Sequence, residues 1–244
     1  MSQNNQIQDK KLWDFHELEN RESFILAQPR LKFLAKQACA LKRSGKILDI
    51  GFGDGFFFKA LYNRNKNLNL YGLDISEKNI ERTKRELGEA GIDVNLTFGS
   101  IDNMPFPNDY FDVVVSSEVL EHLDDFTLQK GLSEIRRILK PDGYFLGTVP
   151  VNEKLSDLLC FCPQCGCSFH RWGHKQSFDK KRIQNLFVSF FDKVKIRLIT
   201  FYWATKPKGN VVKIVLYFIK LITFHTTRYI LGADYRFYVK AHKR

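Results

Sequence analysis

The feature that most constrains the fold is a regular alternation of short apolar runs and longer amphipathic runs. Three apolar runs, KILDI (46–50), LNLYGLD (68–74) and FDVVVSS (111–117), have the length of buried strands. The run SEKNIERTKRELGEAG (76–91) reads as a helix that begins after Ser76. Strands that alternate with helices at this spacing predict βαβ units, and therefore a parallel sheet with helices on both faces.

The same patterns divide the chain into four parts. We predict an N-terminal helical segment (1–44), an alternating core (45–150), a Cys/His-rich loop (151–177), and a C-terminal part (178–244) that contains an apolar, basic insertion (205–232). Within them we predict helices over 21–43, 56–64, 128–140 and 178–191, and strands over 94–98, 144–150, 193–204 and 234–244.

The first strand runs directly into a glycine loop, ILDIGFGDGFF. Its glycines, Gly51, Gly53 and Gly55, follow the spacing G-x-G-x-G, because position 56 is Phe where a dinucleotide loop has its third glycine. Glycines there let the backbone turn and approach a ligand, and the helix beyond offers free N–H groups. Asp74 ends the second strand, where a carboxylate can accept hydrogen bonds from a ribose diol.

These motifs, followed by TFGSIDNMPFPNDYFDVVVSSEVLEHL, resemble the class I S-adenosylmethionine-dependent methyltransferases. The resemblance is to their ubiquinone-methyltransferase-like branch, with a methyltransferase type 11 domain; it covers about residues 45–150 and continues more weakly beyond. It implies an enzyme of α/β fold, with a doubly wound, seven-stranded, mostly parallel Rossmann-like sheet whose last strand is antiparallel. It also implies S-adenosylmethionine as the cofactor.

The resemblance further implies roles at single positions. Asp49 would lie near the methionine amine, Asp74 would hold the ribose, and Ser116 would face the methionine part. Where such enzymes commonly have an Asp that binds the adenine amino group, this chain has Ser100, so we expect the Ile101 N–H to contact adenine. The implied cofactor-binding set is Asp49, Gly51, Gly53, Gly55, Asp74, Ile75, Ser100, Ile101 and Ser116.

Methyl transfer to an oxygen or nitrogen needs alignment of the reactants and can also need a base. His122 and His174 are candidates, since imidazole titrates near neutral pH. We predict that EVLEHL puts Glu118, Glu121 and His122 within one helical turn, where i, i+3 and i+4 share a face. We take His122 and Glu118 as the catalytic candidates and expect Glu121 to shape the cofactor pocket, a role that also remains open for His122.

The stretch CFCPQCGCSFHRWGH (160–174) holds four of the five cysteines and two of the six histidines. Two thiolates on a tight turn, followed by two imidazoles, have the spacing of a closed, structural zinc site. The stretch also resembles a CPxCGxxFHRWGH element of methyltransferase-like sequences, which favours the ligands Cys162, Cys165, His170 and His174. A four-cysteine set, reduced cysteines without metal, and a redox switch remain alternatives, and a metal-bound His174 would not be a free base.

Charge is concentrated in the last third of the chain. Residues 171–244 contain 17 Lys and Arg and 3 Asp, a balance of +14, whereas the rest has 21 Lys and Arg and 24 Asp and Glu. A basic region indicates an anionic partner, such as a membrane, a phosphorylated substrate or nucleic acid, although it can also be a solvated surface. The start, MSQNNQIQDKK, lacks the apolar core of a signal peptide, so we expect a cytoplasmic protein with reduced thiols.

The insertion at 205–232 is both apolar and basic. Residues 211–231 would form a helix about 31 Å long, but Lys213, Lys220 and Arg228 oppose a membrane span. We predict an interfacial helix on the inner membrane surface, a cover over the acceptor, or a helix packed on the domain. The acceptor is therefore expected to be a small molecule, lipid-linked or a glycan intermediate. The alternatives are an RNA methyltransferase and an inactive, zinc-binding methyltransferase fold.

Overall fold

The computed structural model describes residues 21–202 and 233–243. The helices in these ranges are α1 (Arg21–Leu41), α2 (Phe56–Tyr62), α3 (Glu77–Glu89), α4 (Asp125–Ile138) and α5 (Lys180–Val188). The strands are β1 (Gly45–Ile50), β2 (Leu68–Asp74), β3 (Asn95–Phe98), β4 (Phe111–Ser117), β5 (Leu139–Pro150), β6 (Leu159–Phe161), β7 (Ser168–His170), β8 (Lys193–Tyr202) and β9 (Ala233–His242). Short 3₁₀ helices cover Leu120–His122 and Leu155–Leu158.

Seven strands form one sheet in the order β3-β2-β1-β4-β5-β9-β8. Strand β9 runs antiparallel to both of its neighbours, and the other pairs are parallel. The predicted doubly wound sheet with an antiparallel last strand is thus confirmed. The strand order reverses between β1 and β4, so the carboxyl ends of these strands leave a crevice where a ligand can bind.

The helices cover both faces of the sheet because alternate strand residues point to opposite sides. Val114 and Phe145 join the apolar cluster with α4 and α5, whereas Val113 and Leu146 join the cluster with α1 and α2. All four side chains are fully buried. Burying such a side chain stabilises the fold by about 1.5–3 kcal/mol, so this double-sided core holds the carboxyl edge of the sheet in place.

Boundaries differ from the sequence prediction mainly around α4. This helix begins three residues earlier than predicted, because Asp124 caps its N-terminus by accepting a hydrogen bond from the Thr127 N–H at 2.8 Å. It also ends earlier, and β5 begins at Leu139 rather than at Tyr144. The predicted cap at Ser76 is confirmed, since its hydroxyl accepts from the Asn79 N–H at 3.2 Å.

The Cys/His-rich region forms a small unit of its own. Its strands β6 and β7 pair as an antiparallel hairpin outside the main sheet. Residues 1–20 and the insertion at 205–232 lie outside the described residues, and the predictions made for them stay predictions. Within 21–202 and 233–243, none of the helices combines the length and the apolar character needed to traverse a bilayer.

Candidate active site at the carboxyl edge of the sheet

The glycine loop after β1 forms a cradle, an open space that the side chains of non-glycine residues would occupy. Gly51 and Gly53 have φ values of 67° and 55°, a left-handed conformation that L side chains rarely adopt. A Cβ atom on Gly51 would come within 2.6 Å of Val119 Cγ2. The Gly51 N–H donates to the Leu73 carbonyl at 2.8 Å, which ties the loop to the end of β2.

Two predicted carboxylates lie on either side of this loop. Asp49 is 2% exposed, and burial, followed by the negative charges of Asp74 and Asp54, raises its pKa well above the ordinary value. Asp74 accepts hydrogen bonds from the Ser76 N–H at 3.0 Å and the Asn79 amide at 2.9 Å. Burial raises the pKa of Asp74 to about 6 despite these bonds. The capping hydrogen bond of α3, from the Asn79 N–H, is accepted by Ser76 and not by Asp74.

The Ser116 hydroxyl is a buried polar group at this edge without a hydrogen-bond partner among the described residues. Its side chain is 1% exposed. Ser116 pairs with Ile50 at the end of β1, beside the glycine loop. A buried hydroxyl normally has a partner, so this atom fits a bound ligand. Together with the cradle and Asp74, the residues present fit S-adenosylmethionine.

The predicted adenine side carries a carboxylate that the sequence analysis missed. The Ser100 hydroxyl is hydrogen-bonded to the Asp102 carboxylate, and Ile101 is buried between them. A cleft beside them is lined by Phe98, Gly99, Ser100, Asp102, Asn103, Pro105, Phe126 and Lys130. This chain therefore has a carboxylate two residues after Ser100, the position where similar enzymes commonly have an Asp, and the TFGSID sequence shows that carboxylate.

The prediction that Glu118, Glu121 and His122 share one helical face is wrong. Glu118 has a φ of 57°, outside the helical region, and the 3₁₀ helix starts only at Leu120. The reason is tertiary: the Glu118 carboxylate pairs with Arg236 of β9 and lies 3.9 Å from Arg30 Nε of α1. Burial opposes ionisation of Glu118, but these arginines hold its pKa below the ordinary value.

Glu121 is buried inside the protein. Its side chain is fully buried, and neither carboxylate oxygen has a hydrogen-bond partner within the described residues. Burial, reinforced by the negative charge of Glu118, raises the pKa of Glu121 well above the ordinary value. Its backbone carbonyl accepts from the N–H groups of Lys175 and Gln176, at 2.7 and 2.9 Å. The end of the Cys/His-rich region is therefore fastened to the turn after β4.

Three histidines meet at this junction. The His174 ring contacts the edge of His122 with 4.6 Å between centroids, and stacks on His170 at 4.8 Å. His174 Nδ1 is hydrogen-bonded to Glu153, which follows β5. The catalytic candidate His122 thus lies at the carboxyl edge of the sheet. Glu153 was not predicted from the sequence, although it is a carboxylate located between β5 and the Cys/His-rich stretch.

The structure does not bring the four predicted zinc ligands together. Among the described residues, two groups could place metal-binding atoms within 4.8 Å of one another: Glu121, His122 and His174, and Glu153, His170 and His174. Neither group contains a cysteine. Cys162 and Cys165 lie at the tip of the β6–β7 hairpin, whereas His170 ends β7 at its base and is 7% exposed.

The thiols at the hairpin tip contact one another instead. The Cys162 N–H donates to the Cys167 carbonyl, and the Gly166 N–H to the Cys162 carbonyl, both at 2.9 Å. Hydrogen bonds from the Cys167 backbone, then from the thiols of Cys162 and Cys167, hold the pKa of Cys165 below its ordinary value. A lowered pKa favours the thiolate, the form that binds metal.

Comparison with known proteins agrees with this geometry. Residues 48–147 match the family model described as "Methyltransferase domain". An uncharacterized methyltransferase, YdaC of Bacillus subtilis, is 35% identical over 113 residues, which are 46% of this chain and 60% of YdaC. The ubiquinone biosynthesis O-methyltransferase of Paramagnetospirillum magneticum is 32% identical over 101 residues, 41% of this chain and 39% of that enzyme.

A likeness to solved structures covers more of the chain. The crystal structure of the YcgJ protein from Bacillus subtilis superposes with a TM-score of 0.61 at 18% identity, over 88% of this chain and 98% of YcgJ. At that identity the likeness shows the fold alone. The chain spans between two fifths and three fifths of the two curated relatives. Residues 48–147 therefore match a methyltransferase domain, and the chain has the seven-stranded, Rossmann-like fold seen in methyltransferases.

Proposed function

We propose that this protein is an S-adenosylmethionine-dependent methyltransferase that acts on a small-molecule, lipid-linked or glycan-intermediate acceptor. The observation that carries the proposal is the cradle of left-handed Gly51 and Gly53 beside Asp74 and the unpartnered Ser116 hydroxyl. Asp49 and Ser116 would hold the methionine part, Asp74 the ribose, and Asp102 with the Ile101 N–H the adenine. The bound cofactor supplies an electrophilic methyl group, and the chain's own residues align the acceptor and take up its proton.

The acceptor class is argued from charge and apolar surface. Residues 171–244 have a charge balance of +14 and include an apolar run at 211–224. RNA phosphates would bind the basic residues but would not explain the apolar run. The matched ubiquinone biosynthesis enzyme is named for a lipid-soluble product. Both points support a lipid-linked or quinone-like acceptor over RNA. We also propose that the protein contacts an anionic membrane peripherally and takes the acceptor from it.

The test is transfer of label from methyl-labelled S-adenosylmethionine to fractionated lipid, glycan and RNA extracts. We expect label in an organic-extractable or glycan fraction and its loss in the Asp74→Asn variant. Label that appears only in RNA would support the RNA methyltransferase instead. Binding of the cofactor without transfer to any fraction would favour the inactive, metal-binding fold.

Zinc is proposed on the hairpin thiols, because the two histidines of the predicted set are engaged with Glu153. We expect about one zinc per chain, released in the Cys162→Ser/Cys165→Ser double variant and retained in His170→Asn. Elemental analysis of the purified variants measures this. Loss of zinc from His170→Asn would support the predicted Cys₂His₂ ligand set instead. Wild-type protein that contains no zinc after growth in zinc-containing medium would contradict the zinc proposal.

A further inference from the structure

We propose that Glu121, His122 and His174 bind a divalent transition-metal ion, at a site separate from the hairpin thiols. One potential ligand atom of each residue lies within 4.8 Å of the corresponding atoms of the other two. Two imidazoles and a carboxylate are donors that suit first-row divalent ions such as Fe²⁺, Co²⁺ and Zn²⁺. This inference does not depend on the proposed methyltransferase function, because it concerns the ion alone.

The carboxylate of Glu121 is the observation that points to a ligand. Its side chain is fully buried, and neither of its oxygens has a hydrogen-bond partner among the residues that the structure describes. A buried carboxylate is normally hydrogen-bonded, paired with a cation or bound to a metal. One of its oxygens lies within 4.8 Å of a ring nitrogen of both His122 and His174. A metal ion held between the three side chains would supply the missing partner.

The surroundings of His174 match those of a metal-bound histidine. Its Nδ1 atom is hydrogen-bonded to Glu153, and an ionised carboxylate only accepts such bonds, so Nδ1 carries the hydrogen. The lone pair is therefore on Nε2, the nitrogen that can bind an ion. Histidines that bind metals usually donate their other N–H to a carboxylate or a carbonyl, which fixes the orientation of the ring. Glu153 would thus orient His174 without touching the ion.

The second group of potential ligands, Glu153, His170 and His174, is less suited to an ion. The His170 Nδ1 atom accepts hydrogen bonds from the backbone N–H groups of Trp172 and His174, at 3.3 and 3.1 Å. The hydrogen of a neutral His170 is then on Nε2, the nitrogen that faces Glu153 Oε1 at 3.8 Å. A ring nitrogen that carries a hydrogen cannot bind a metal. The ion is therefore assigned to the group that contains Glu121.

The ligands come from two segments that are fastened together. Glu121 and His122 lie in the 3₁₀ helix after β4, and His174 lies near the end of the Cys/His-rich region. The N–H groups of Lys175 and Gln176 donate to the Glu121 carbonyl at 2.7 and 2.9 Å, so the backbone holds the two segments together without an ion. Three protein ligands leave at least one position of a tetrahedral ion open, as in catalytic rather than structural metal sites.

The first test adds Co²⁺ to the metal-free, untagged, full-length chain with Cys162→Ser and Cys165→Ser, which removes the hairpin thiols as competing ligands. We expect about one Co²⁺ per chain, with visible absorption but without the near-ultraviolet band of thiolate-bound cobalt. In this background, calorimetry should show binding weakened by at least about 100-fold in Glu121→Gln and in His174→Asn, because each loses a ligand. Glu153→Gln, which loses only the group that orients His174, should weaken it by about 10- to 100-fold.

The matched control is His242→Asn. This histidine lies outside the site, on β9, and its side chain is 12% exposed, like that of His174, so its loss should leave cobalt binding unchanged. A second measurement does not require the Glu121 variant to fold. X-ray absorption at the cobalt edge of the Cys-to-Ser chain, in which all proposed ligands are intact, should show two imidazoles, oxygen and no sulfur around the ion.

Three results would overturn the proposal: a chain that binds no Co²⁺, cobalt surrounded by sulfur or by fewer than two imidazoles, and an affinity that is unchanged in Glu121→Gln. If His170→Asn weakens binding and Glu121→Gln does not, the ion belongs to the group of Glu153, His170 and His174. The zinc content of the hairpin variants and the transfer of labelled methyl test the earlier proposals separately, so the failure of either leaves this site to be decided by cobalt alone.

Discussion

Asp74 is the single residue on which the cofactor assignment can be tested most directly. Its carboxylate must be ionised to accept both hydroxyl hydrogens of a ribose, and its pKa is raised to about 6 by burial. We therefore expect the affinity for S-adenosylmethionine to fall as the pH drops through about 6. Asp74→Asn should weaken binding by about 1–3 kcal/mol at neutral pH and remove this pH dependence.

Calorimetry across the acidic range measures both effects. The control is Asp93→Asn, which changes an exposed carboxylate outside the glycine loop and should leave affinity unchanged. The effect on stability has the opposite sign: a carboxyl whose folded pKa is raised favours folding at low pH and loses this contribution as pH rises through about 6. Weaker binding at low pH therefore cannot come from this residue's effect on folding.

Gly53 tests the cradle. Its φ of 55° strains any β-branched residue, and the branches would enter the space beside the loop. We expect Gly53→Val to abolish measurable binding of S-adenosylmethionine, whereas Gly88→Ala, with no atom within 4 Å of its added Cβ, should have no effect. Equal binding by both variants in calorimetry would place the cofactor elsewhere.

At the scale of elements, the Glu118 ion pairs join α1, β4 and β9. The side chains of Glu118 and Arg236 are 16% and 21% exposed, so removing one partner leaves a charge largely buried. We expect Glu118→Gln to lower the free energy of unfolding by about 3 kcal/mol. Denaturant unfolding at neutral pH measures this, with Glu86→Gln as control. That change breaks a 3.5 Å surface pair with Lys59 and should lower it by less than about 1 kcal/mol.

The pH dependence of this contribution follows from its sign. The folded-state pKa of Glu118 is below the ordinary value, so its stabilisation is complete above the unfolded pKa and is lost as pH falls through the folded one. The difference between wild type and Glu118→Gln should therefore shrink toward acid. A difference that is constant with pH would show that Glu118 stabilises the fold by packing rather than by charge.

At the scale of the whole molecule, the basic last third should confer salt-sensitive affinity for anionic membranes. Each basic residue near such a surface contributes about 1 kcal/mol, and this part is screened by salt. Because the run at 211–224 is apolar, part of the membrane affinity should persist at high salt. Sedimentation with anionic and neutral vesicles measures both parts, and Lys213→Glu with Lys220→Glu should reduce binding without changing cofactor affinity.

Wild-type protein that stays in the supernatant with anionic vesicles at low salt would contradict the membrane prediction. The insertion at 205–232 would then be a cover over the acceptor or a helix packed on the domain, and the basic residues would be a solvated surface. The transfer of label to lipid, glycan or RNA fractions is independent of this result, because extracts present the acceptor without a bilayer.

The sequence by itself determined the order of the elements, because apolar runs of strand length and a helix cap at Ser76 are local properties of the chain. It also determined the glycine loop and Asp74, since both sit at strand ends, where a parallel sheet must bring them together. Tertiary structure decided what local spacing cannot show. Glu118 left the helical turn to pair with Arg236, which is 118 residues away. His174 is hydrogen-bonded to Glu153 rather than placed beside the cysteines nearby in sequence, because a buried imidazole needs a hydrogen-bond partner and the fold supplies this carboxylate.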